Sequence, residues 1–318
     1  MDSRKGIVIG VDTSNYTTSL AAVDLFGRVL ANIKYPLFVA EGGRGLRQSD
    51  AVFEHTRNLP LAIKSLSETV DIKSAVAVGY SSKPRNAEGA YMPCFLSGVA
   101  AAAGLAAATE AESYAFSHQD GHIRAACHSA GFEIKEGEKF AAFHVSGGTT
   151  ELLLVTPQKD SLSVELIGKT KDLNAGQLVD RTGVLMGLSF PCGAKMDELA
   201  LSFGGQIKGI KISVSGLDCN LSGAENLAAR LYRETGSPEN VSVYVFSFIA
   251  KTLAKMTDGL RERYPYIPVI YAGGVMGSKY IRSKLNFKNI YFAEPQFSSD
   301  NAVGIALLAY EKYKSEGR

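Results

Sequence analysis

The segment Phe140–Thr156, FAAFHVSGGTTELLLVT, predicts a β-hairpin whose two strands are joined by a glycine turn. An apolar run ends at the turn sequence SGGTT, and a second apolar run, Glu151–Val155, follows at once. Gly147 and Gly148 leave backbone N–H groups uncovered and two threonine hydroxyls follow them, so the turn suits the close approach of a phosphate. A tight hairpin that binds nothing has the same signature, and the turn alone leaves both interpretations open.

The segment Gly6–Val23, GIVIGVDTSNYTTSLAAV, repeats this plan near the N-terminus. The pattern Thr-Thr-x-Leu-x-x-Val occurs at positions 17–23 and again at 149–155. Self-similarity of this kind indicates an internal duplication. We therefore expect two lobes of one type that face a common ligand.

The composition is that of a globular protein large enough for two domains. The chain has 318 residues, of which 46% are hydrophobic, and a net charge of +2. Two cores can be filled, and no charge bias indicates a partner. The four cysteines lie far apart without a CxxC pair, and no charged-then-apolar leader precedes Gly6. These features favour reduced thiols and a cytoplasmic location.

The segment Phe95–Thr109, FLSGVAAAAGLAAAT, is apolar enough to be mistaken for a membrane span. It is shorter than the ~20 apolar residues that a bilayer requires. Its glycines at positions 98 and 104 permit close packing. We expect a helix buried between layers and no association with a membrane.

Apolar periodicity predicts the order of strands and helices in both halves of the chain. In the first half we expect strands near 6–12, 17–23, 28–35 and 74–80, with helices near 49–70 and 95–109. In the second half we expect strands near 140–156, 162–169 and 268–272, with helices near 174–187, 194–203, 222–235 and 239–262. A meander followed by alternating helices and strands, twice over, predicts a duplicated α/β fold with a central cleft.

His118 and His122 are candidate metal ligands because they are four residues apart, so both imidazoles would leave one face of a helix. Gln119 stands where a metalloprotease of the HExxH type needs a glutamate, which argues against peptide hydrolysis. Two surface histidines at the start of a helix are the alternative interpretation. Asp300, directly before an apolar helix, is a candidate third ligand, although an aspartate there is also an ordinary helix cap. Two histidines and one carboxylate suit iron or zinc with open coordination positions.

Other candidate residues stand at the ends of predicted elements. Asp12 ends the first strand, where an acid can hold a metal-bound or activated water near a phosphate; a turn cap is the alternative. Asp180, on a helix, and Gly193, with its bare backbone, could meet a ribose diol. A strand that ends in Gly273 and Gly274 and precedes a helix from Ser278 is the arrangement expected for a nucleotide lying on backbone.

Taken together, these motifs resemble the actin/hexokinase superfamily of ATP-dependent folds (ASKHA), and within it the TsaD family of tRNA threonylcarbamoyladenosine synthases. In chain order, the points of similarity are GVDTS at 10–14, HxxxH at 118–122, VSGG at 145–148, Asp180, PCG at 191–193, SVSGL at 213–217, AGGV at 272–275 and SDNA at 299–302. The resemblance implies duplicated ribonuclease H-like lobes around a central nucleotide cleft. Residues 1–115 and 302–318 would form the first lobe, and residues 116–301 the second lobe, with the metal and nucleotide motifs.

The resemblance also implies an activity. Threonylcarbamoyl-adenylate, made by a partner enzyme, would donate its threonylcarbamoyl group to the N6 amine of the adenosine beside the anticodon of tRNA, and AMP would leave. His118, His122 and Asp300 would hold iron or zinc on the donor phosphate; magnesium carried by ATP is the alternative. Asp12 is the candidate catalytic residue. The nucleotide would be lined by His144, Val145, Ser146, Gly147, Gly148, Asp180, Gly193, Gly273, Gly274 and Ser278. A paralogous ASKHA scaffold protein and a small ATPase are the implied protein partners.

The chain departs from the usual pattern of this family at several positions. The run Asn15-Tyr16-Thr17 stands where the family usually has Cys-Asp-Glu or Cys-Asp-Asp, which removes acidic side chains next to the cleft. Thr149 replaces a histidine or asparagine, and Ser278 replaces an asparagine. A Gly-Pro-Gly loop becomes Lys83-Pro84-Arg85. These differences suggest a changed acceptor or acyl specificity, with two cations at the mouth of the cleft where an anionic group or an RNA phosphate would be favoured. A solvated loop is the alternative for the two cations.

Three functions are therefore compatible with the sequence. We favour the transferase that acts on tRNA; the alternatives are a related carbamoyltransferase or ATP-using enzyme with a small acceptor, and a nucleotide-binding scaffold without turnover. A tRNA substrate would require basic residues on one side of the cleft to meet its phosphates. The candidates are Lys208, Lys211, Lys279, Arg282, Lys284 and Lys288.

Overall fold

The computed structural model describes residues 6–14, 16–37, 46–159, 161–205, 207, 209–297 and 302–317. Asn15 and Lys208, named in the sequence analysis, lie outside the described residues. The chain divides into two compact units. The first comprises Met1–Ser129, Gln158–Ser163 and Phe297–Arg318, and the second comprises Ala130–Pro157 and Val164–Gln296. This division places His118 and His122 in the first unit, whereas the boundary predicted after residue 115 assigned them to the second lobe.

Strands and helices follow one another in an order that repeats. In the described parts of the first unit and the start of the second, the elements are β1 (Ile7–Ser14), β2 (Thr17–Asp24), β3 (Val29–Pro36), α1 (Gln48–Thr69), β4 (Ala75–Lys83), α2 (Phe95–Thr109), β5 (Glu112–Ser117), α3 (His118–Ser129), β6 (Phe140–Val145), β7 (Thr150–Gln158) and β8 (Ser161–Lys169). The rest are α4 (Ala175–Leu185), α5 (Gly193–Ser202), β9 (Ser213–Ser215), β10 (Asp218–Asn220), α6 (Ser222–Thr235), α7 (Pro238–Arg263), β11 (Val269–Ala272), α8 (Lys279–Lys284), β12 (Ile290–Phe292) and α9 (Val303–Ser315).

The two five-stranded sheets have the same topology. The strand order is β3-β2-β1-β4-β5 in one and β8-β7-β6-β11-β12 in the other. In each, the first strand pairs antiparallel with the second and parallel with the fourth. The predicted duplication of an α/β unit is therefore confirmed. Strand β5 was missing from the prediction, because its sequence, ESYAFS, has no apolar alternation over its first four residues.

Close packing of α9 fixes the sheet of the first unit. A Cβ atom added at Gly10 of β1 would lie 2.4 Å from the carbonyl oxygen of Ala302, and one added at Gly79 of β4 would lie 2.8 Å from that of Ile305. Such separations are below van der Waals contact, so only glycine lets the helix backbone approach these strands. The buried face of α9, Val303–Ala309, fills the space over the sheet.

The core of the second unit is built around β6, β11 and α7. Phe143 and Tyr271 stack with ring centroids 5.0 Å apart, and the Tyr271 hydroxyl forms a 2.6 Å hydrogen bond with Thr257 of α7. This bond satisfies the one polar group of a fully buried aromatic side chain. This core thus holds the C-terminal ends of β6 and β11 in fixed positions.

All four cysteines are free and buried. Burial, together with the charge of Asp12, raises the pKa of the Cys94 thiol to about 11. Within the described residues, no helix is both long and apolar enough to cross a membrane.

Asp172 connects the approach to α4 with the start of α6. Its carboxylate accepts hydrogen bonds from the backbone N–H groups of Leu173 (2.6 Å) and Leu221 (2.8 Å) and from the hydroxyl of Ser222 (2.6 Å). Partial burial acts to raise the pKa of Asp172. The hydrogen bonds from Ser222, Leu221, Leu173 and Asn220 outweigh this effect and hold the pKa well below its usual range.

We expect Asp172→Ala to lower the free energy of unfolding at pH 7 by about 1 kcal/mol, the usual cost of losing a carboxylate that caps a helix. Since the folded pKa is depressed, the stabilisation is present above the unfolded carboxyl pKa of about 3.9 and is lost as the pH falls through the folded pKa. Urea unfolding at pH 7 and pH 3 should show a smaller difference at pH 3, with the exposed Asp258→Ala as control. An equal difference at both pH values would contradict this role.

Candidate functional site

The glycine turn after β6 is stabilised mainly by its own serine. The backbone N–H of Ser146 donates to the carbonyl of Thr149 at 2.7 Å, and the Ser146 hydroxyl accepts from the N–H groups of Gly148 (3.2 Å) and Thr149 (3.1 Å). Within the described residues, the N–H of Gly147 makes no hydrogen bond. A side chain at position 147 would meet nothing within 4 Å. The turn therefore offers one bare amide, rather than the two predicted from the sequence.

Two other backbone segments press against this turn. The Gly176 N–H, in the first turn of α4, donates to the carbonyl of Ser146 at 3.0 Å. A Cβ atom at Gly176 would lie 2.5 Å from the Gly147 nitrogen, and one at Gly273 would lie 2.2 Å from the Val145 oxygen. Gly273 also has a φ of +102°, which side chains rarely allow. Glycine at both positions is what lets the three segments meet.

Thr149, the first residue after the two glycines, forms hydrogen bonds with His144 near the end of β6 and with Ser146. The Thr149 hydroxyl lies 3.0 Å from Nδ1 of His144 and 3.0 Å from the hydroxyl of Ser146. Val145 has no exposed surface and belongs to the core. These residues hold the shape of the turn. Thr149 does so at a position where the resembled family usually has a histidine or asparagine.

Asp180 positions the segment that contains Gly193. Its Oδ1 atom accepts a 2.9 Å hydrogen bond from the backbone N–H of Cys192. A Cβ atom at Gly193 would meet nothing within 4 Å, so the start of α5 faces open space. Among the described residues, the second oxygen of Asp180 has no hydrogen-bond donor.

Ser278 has a structural contact that the sequence did not predict. Its hydroxyl lies 2.5 Å from Oδ1 of Asp197 and accepts a 3.1 Å hydrogen bond from the N–H of Ile281. Asp197 also accepts from the N–H groups of Lys279 and Tyr280. Ser278 therefore caps α8 and lies at the cavity edge with its hydroxyl already bonded.

These residues meet at a cavity of about 590 Å³ within the second unit, a size typical of small-ligand sites. Among the predicted residues, Gly147, Asp180, Gly193, Gly274 and Ser278 line it. Other lining residues were not predicted from the sequence as part of a nucleotide site; they include Asp197, Glu198, Phe246, Val275, Lys279 and Pro295. A bare amide, a carboxylate with one free oxygen and apolar walls together suit a nucleoside monophosphate.

A second polar cluster lies in the first unit, where β1, β4 and α3 end or begin. Asp12 is fully buried, and its Oδ1 atom accepts from the hydroxyl of Ser81 and lies 3.0 Å from Nδ1 of His118. The rings of His118 and His122 have centroids 4.3 Å apart at 77°. Their stretch is helical as predicted, so the two imidazoles lie on one face of α3.

Two of the three predicted metal ligands, His118 and His122, lie among the described residues. Among the described residues, no three His, Cys, Asp or Glu side chains form a metal-binding group. Asp300, the predicted third ligand, lies outside the described residues. The two imidazoles fit adjacent ligands of one ion. Asp12, at Nδ1 of His118, has the position of the outer carboxylate that commonly orients a ligating histidine.

The loop between β4 and α2 is attached to the start of α3. Asn86 donates a 2.7 Å hydrogen bond to Asp120, and the N–H of Gln119 donates to the carbonyl of Pro84 at 3.0 Å. Burial raises the pKa of the Asp120 carboxyl. Lys83 and Arg85 thus lie in a segment that is held against the helix of the two histidines, a contact that no sequence pattern indicated.

Arg282 has structural contacts with the backbone of its own unit. Its guanidinium donates to the carbonyl oxygens of Met276 (2.6 Å) and Ala293 (2.7 Å). These bonds tie α8 to the segment after β12. Lys211, Lys279, Lys284 and Lys288 are exposed.

The family model of tRNA N6-adenosine threonylcarbamoyltransferase, TsaD, matches residues 28–307. The chain belongs to the TsaD family. This membership confirms the resemblance recognised in the sequence and the predicted transferase class. The TsaD-family enzyme of Mycoplasmopsis synoviae is 25% identical over 97% of this chain and 99% of its own length. That of Streptococcus suis (strain 05ZYH33) is 27% identical over 98% of this chain and 93% of its own length.

Solved structures extend the TsaD-family assignment to the fold. HypF, in its phosphate- and nucleotide-bound form, gives a TM-score of 0.58 at 11% identity, over 98% of this chain and 47% of that one. Component A of the Acidaminococcus fermentans (R)-2-hydroxyglutaryl-CoA dehydratase gives a TM-score of 0.53 at 13% identity, over 97% of this chain and 99% of that one. The likenesses agree with the predicted ASKHA fold of two like sheets.

We expect Gly176→Ala to displace the glycine turn, because the added methyl group would lie 2.5 Å from the Gly147 nitrogen. Overpacking of this kind lowers the free energy of unfolding by about 1–3 kcal/mol. We expect AMP affinity, measured by calorimetry, to fall at least about tenfold, equivalent to 1.4 kcal/mol. The control is Gly223→Ala, in the first turn of α6, where the added methyl group meets open space. If Gly176→Ala binds AMP as tightly as Gly223→Ala does, the packing argument is wrong.

Proposed function

We propose that the protein transfers a threonylcarbamoyl group from threonylcarbamoyl-AMP to the N6 amine of the adenosine next to the anticodon of tRNA. Family membership over residues 28–307 supports the reaction. The observation that carries the donor assignment is the cavity of the second unit, in which the bare amide of Gly147 and the carboxylate of Asp180 share one lining.

The cavity residues account for binding of the adenylate part of the donor. The Gly147 N–H would donate to a phosphate oxygen, where a backbone amide without a side chain can approach closely. The free oxygen of Asp180 would accept from a ribose hydroxyl, while its other oxygen stays on the N–H of Cys192. Lys279, at the rim, supplies positive charge for the phosphate.

The transfer itself forms one bond and breaks one. The N6 amine attacks the carbamoyl carbon, and the bond from that carbon to the phosphate oxygen breaks. AMP leaves with the electron pair, and the proton lost by the amine passes to solvent water. Stabilisation of the departing phosphate by fixed donors lowers the barrier to this step. The Gly147 amide is such a donor, because packing against Gly176 fixes its direction before the donor binds.

We further propose that His118, His122 and Asp300 hold iron or zinc. A bound ion of this kind would act as a Lewis acid toward the donor phosphate. Asp12 would keep the proton of His118 on Nδ1 and so present Nε2 to the ion, which makes Asp12 a positioning residue for the histidine. The buried Oδ2 atom of Asp12, which has no partner among the described residues, is compatible with a negative charge held near a cation.

A protein partner on the first unit is part of the proposal. Helices α1 and α2 expose large apolar side chains, among them Phe53 (62%), Leu61 (52%) and Leu96 (54%). Exposed apolar residues of this size on neighbouring helices are typical of an interaction surface. A paralogous ASKHA scaffold, assisted by a small ATPase, is the partner that the family resemblance implies, and a cytoplasmic location is proposed for the assembly.

The test is an assay of the purified protein with threonylcarbamoyl-AMP and bulk tRNA, with and without the partner proteins. We expect N6-threonylcarbamoyladenosine to form in tRNA, and His118→Ala to lose both activity and bound metal, measured by elemental analysis. The matched control is His128→Ala, on the same helix. Consumption of the donor without modified tRNA would indicate a different acceptor, and equal metal content in the two variants would contradict the proposed metal ligands.

A further inference from the structure

A second cavity lies in the second unit, beside the nucleotide cavity. It measures about 490 Å³ and shares one described lining residue, Leu201, with that cavity. Helices α5, α7 and α8 and the segment after α5 form its walls. The lining residues used below are Leu201, Phe203, Ser247, Lys251, Tyr280 and Lys284.

The charge of this second cavity differs in sign from that of the first. Its described lining includes Lys251 and Lys284 and no carboxylate, whereas the nucleotide cavity is lined by Asp180, Asp197 and Glu198 against Lys279. Within the part of the chain that the structure describes, neither Lys251 nor Lys284 forms an ion pair. Both ammonium groups therefore remain for an anion from solution.

The uncharged part of the lining is apolar and aromatic, and the hydroxyl groups of Tyr280 and Ser247 form a hydrogen bond with each other. Tyr280 donates to or accepts from Ser247 at 2.8 Å, and the Lys284 ammonium lies 5.1 Å from the centre of the Tyr280 ring. Leu201, half of whose surface is exposed, and Phe203 offer apolar contact. A ring placed against these residues would remove apolar surface from water while its anionic group met the lysines.

We propose that this cavity is a second ligand site, for a small molecule with an aromatic or apolar body and one anionic group, either a carboxylate or a phosphate. It is distinct from the nucleotide cavity, with which it shares Leu201, and its ligand takes no part in the transfer reaction. Its volume lies within the range of 300–1,000 Å³ typical of small-molecule sites. Charge complementarity selects an anion, and the apolar wall excludes a bare inorganic ion as the preferred ligand.

The probe is 8-anilinonaphthalene-1-sulfonate, which joins an aromatic body to one anionic group, titrated into the full-length protein and followed by calorimetry. We expect one site per chain. The double variant Lys251→Ala/Lys284→Ala should bind about tenfold more weakly, since the anionic group of the probe loses both of its cationic partners. The control is Lys255→Ala, an exposed lysine on α7 outside the lining. Thermal unfolding checks that the variants are folded.

Two further arms make the result decisive. Indole-3-acetate and phenyl phosphate are tested as competitors, and the better competitor identifies the preferred anionic group. Saturating AMP should not displace the probe. The proposal is overturned if the wild-type protein binds no probe, if the double variant matches Lys255→Ala, if neither competitor displaces the probe, or if AMP does.

Discussion

The candidate site of the second unit depends on the close packing of backbone segments around the glycine turn. Gly176 places the first turn of α4 against Gly147, and Gly273 places the end of β11 against Val145. A single methyl group at Gly176 or Gly273 would come within 2.5 Å of a backbone atom. Three chain segments therefore pack closely around the turn that contains the bare amide of Gly147, so the position of the turn is set by backbone contacts.

The duplicated topology explains why both polar clusters lie where they do. In each sheet the first strand runs parallel to the fourth, so their carboxyl ends are adjacent, which is where ligands bind in parallel α/β sheets. In the first unit this edge brings Asp12 beside Ser81. In the second it brings Val145 beside Gly273. One copy of the fold presents side chains at this edge, and the other presents backbone.

Local sequence patterns were enough to predict much of this arrangement. The hairpin around Gly147, the duplicated strand plan and the helix that pairs His118 with His122 all follow from residues close in sequence. What the sequence could not show are contacts over long separations. The hydroxyl of Ser278, for example, is bonded to Asp197, which is 81 positions away. Side-chain partners of this kind depend on packing that periodicity does not encode.

An NMR titration of ¹⁵N-glycine-labelled protein with AMP tests whether the Gly147 amide binds the phosphate. The Gly147 resonance can be assigned by its loss in Gly147→Ala, a substitution that meets nothing within 4 Å. We predict a saturable shift of the Gly147 amide and a smaller change at Gly148, whose N–H is held by Ser146. An unchanged Gly147 resonance at saturating AMP would contradict the account.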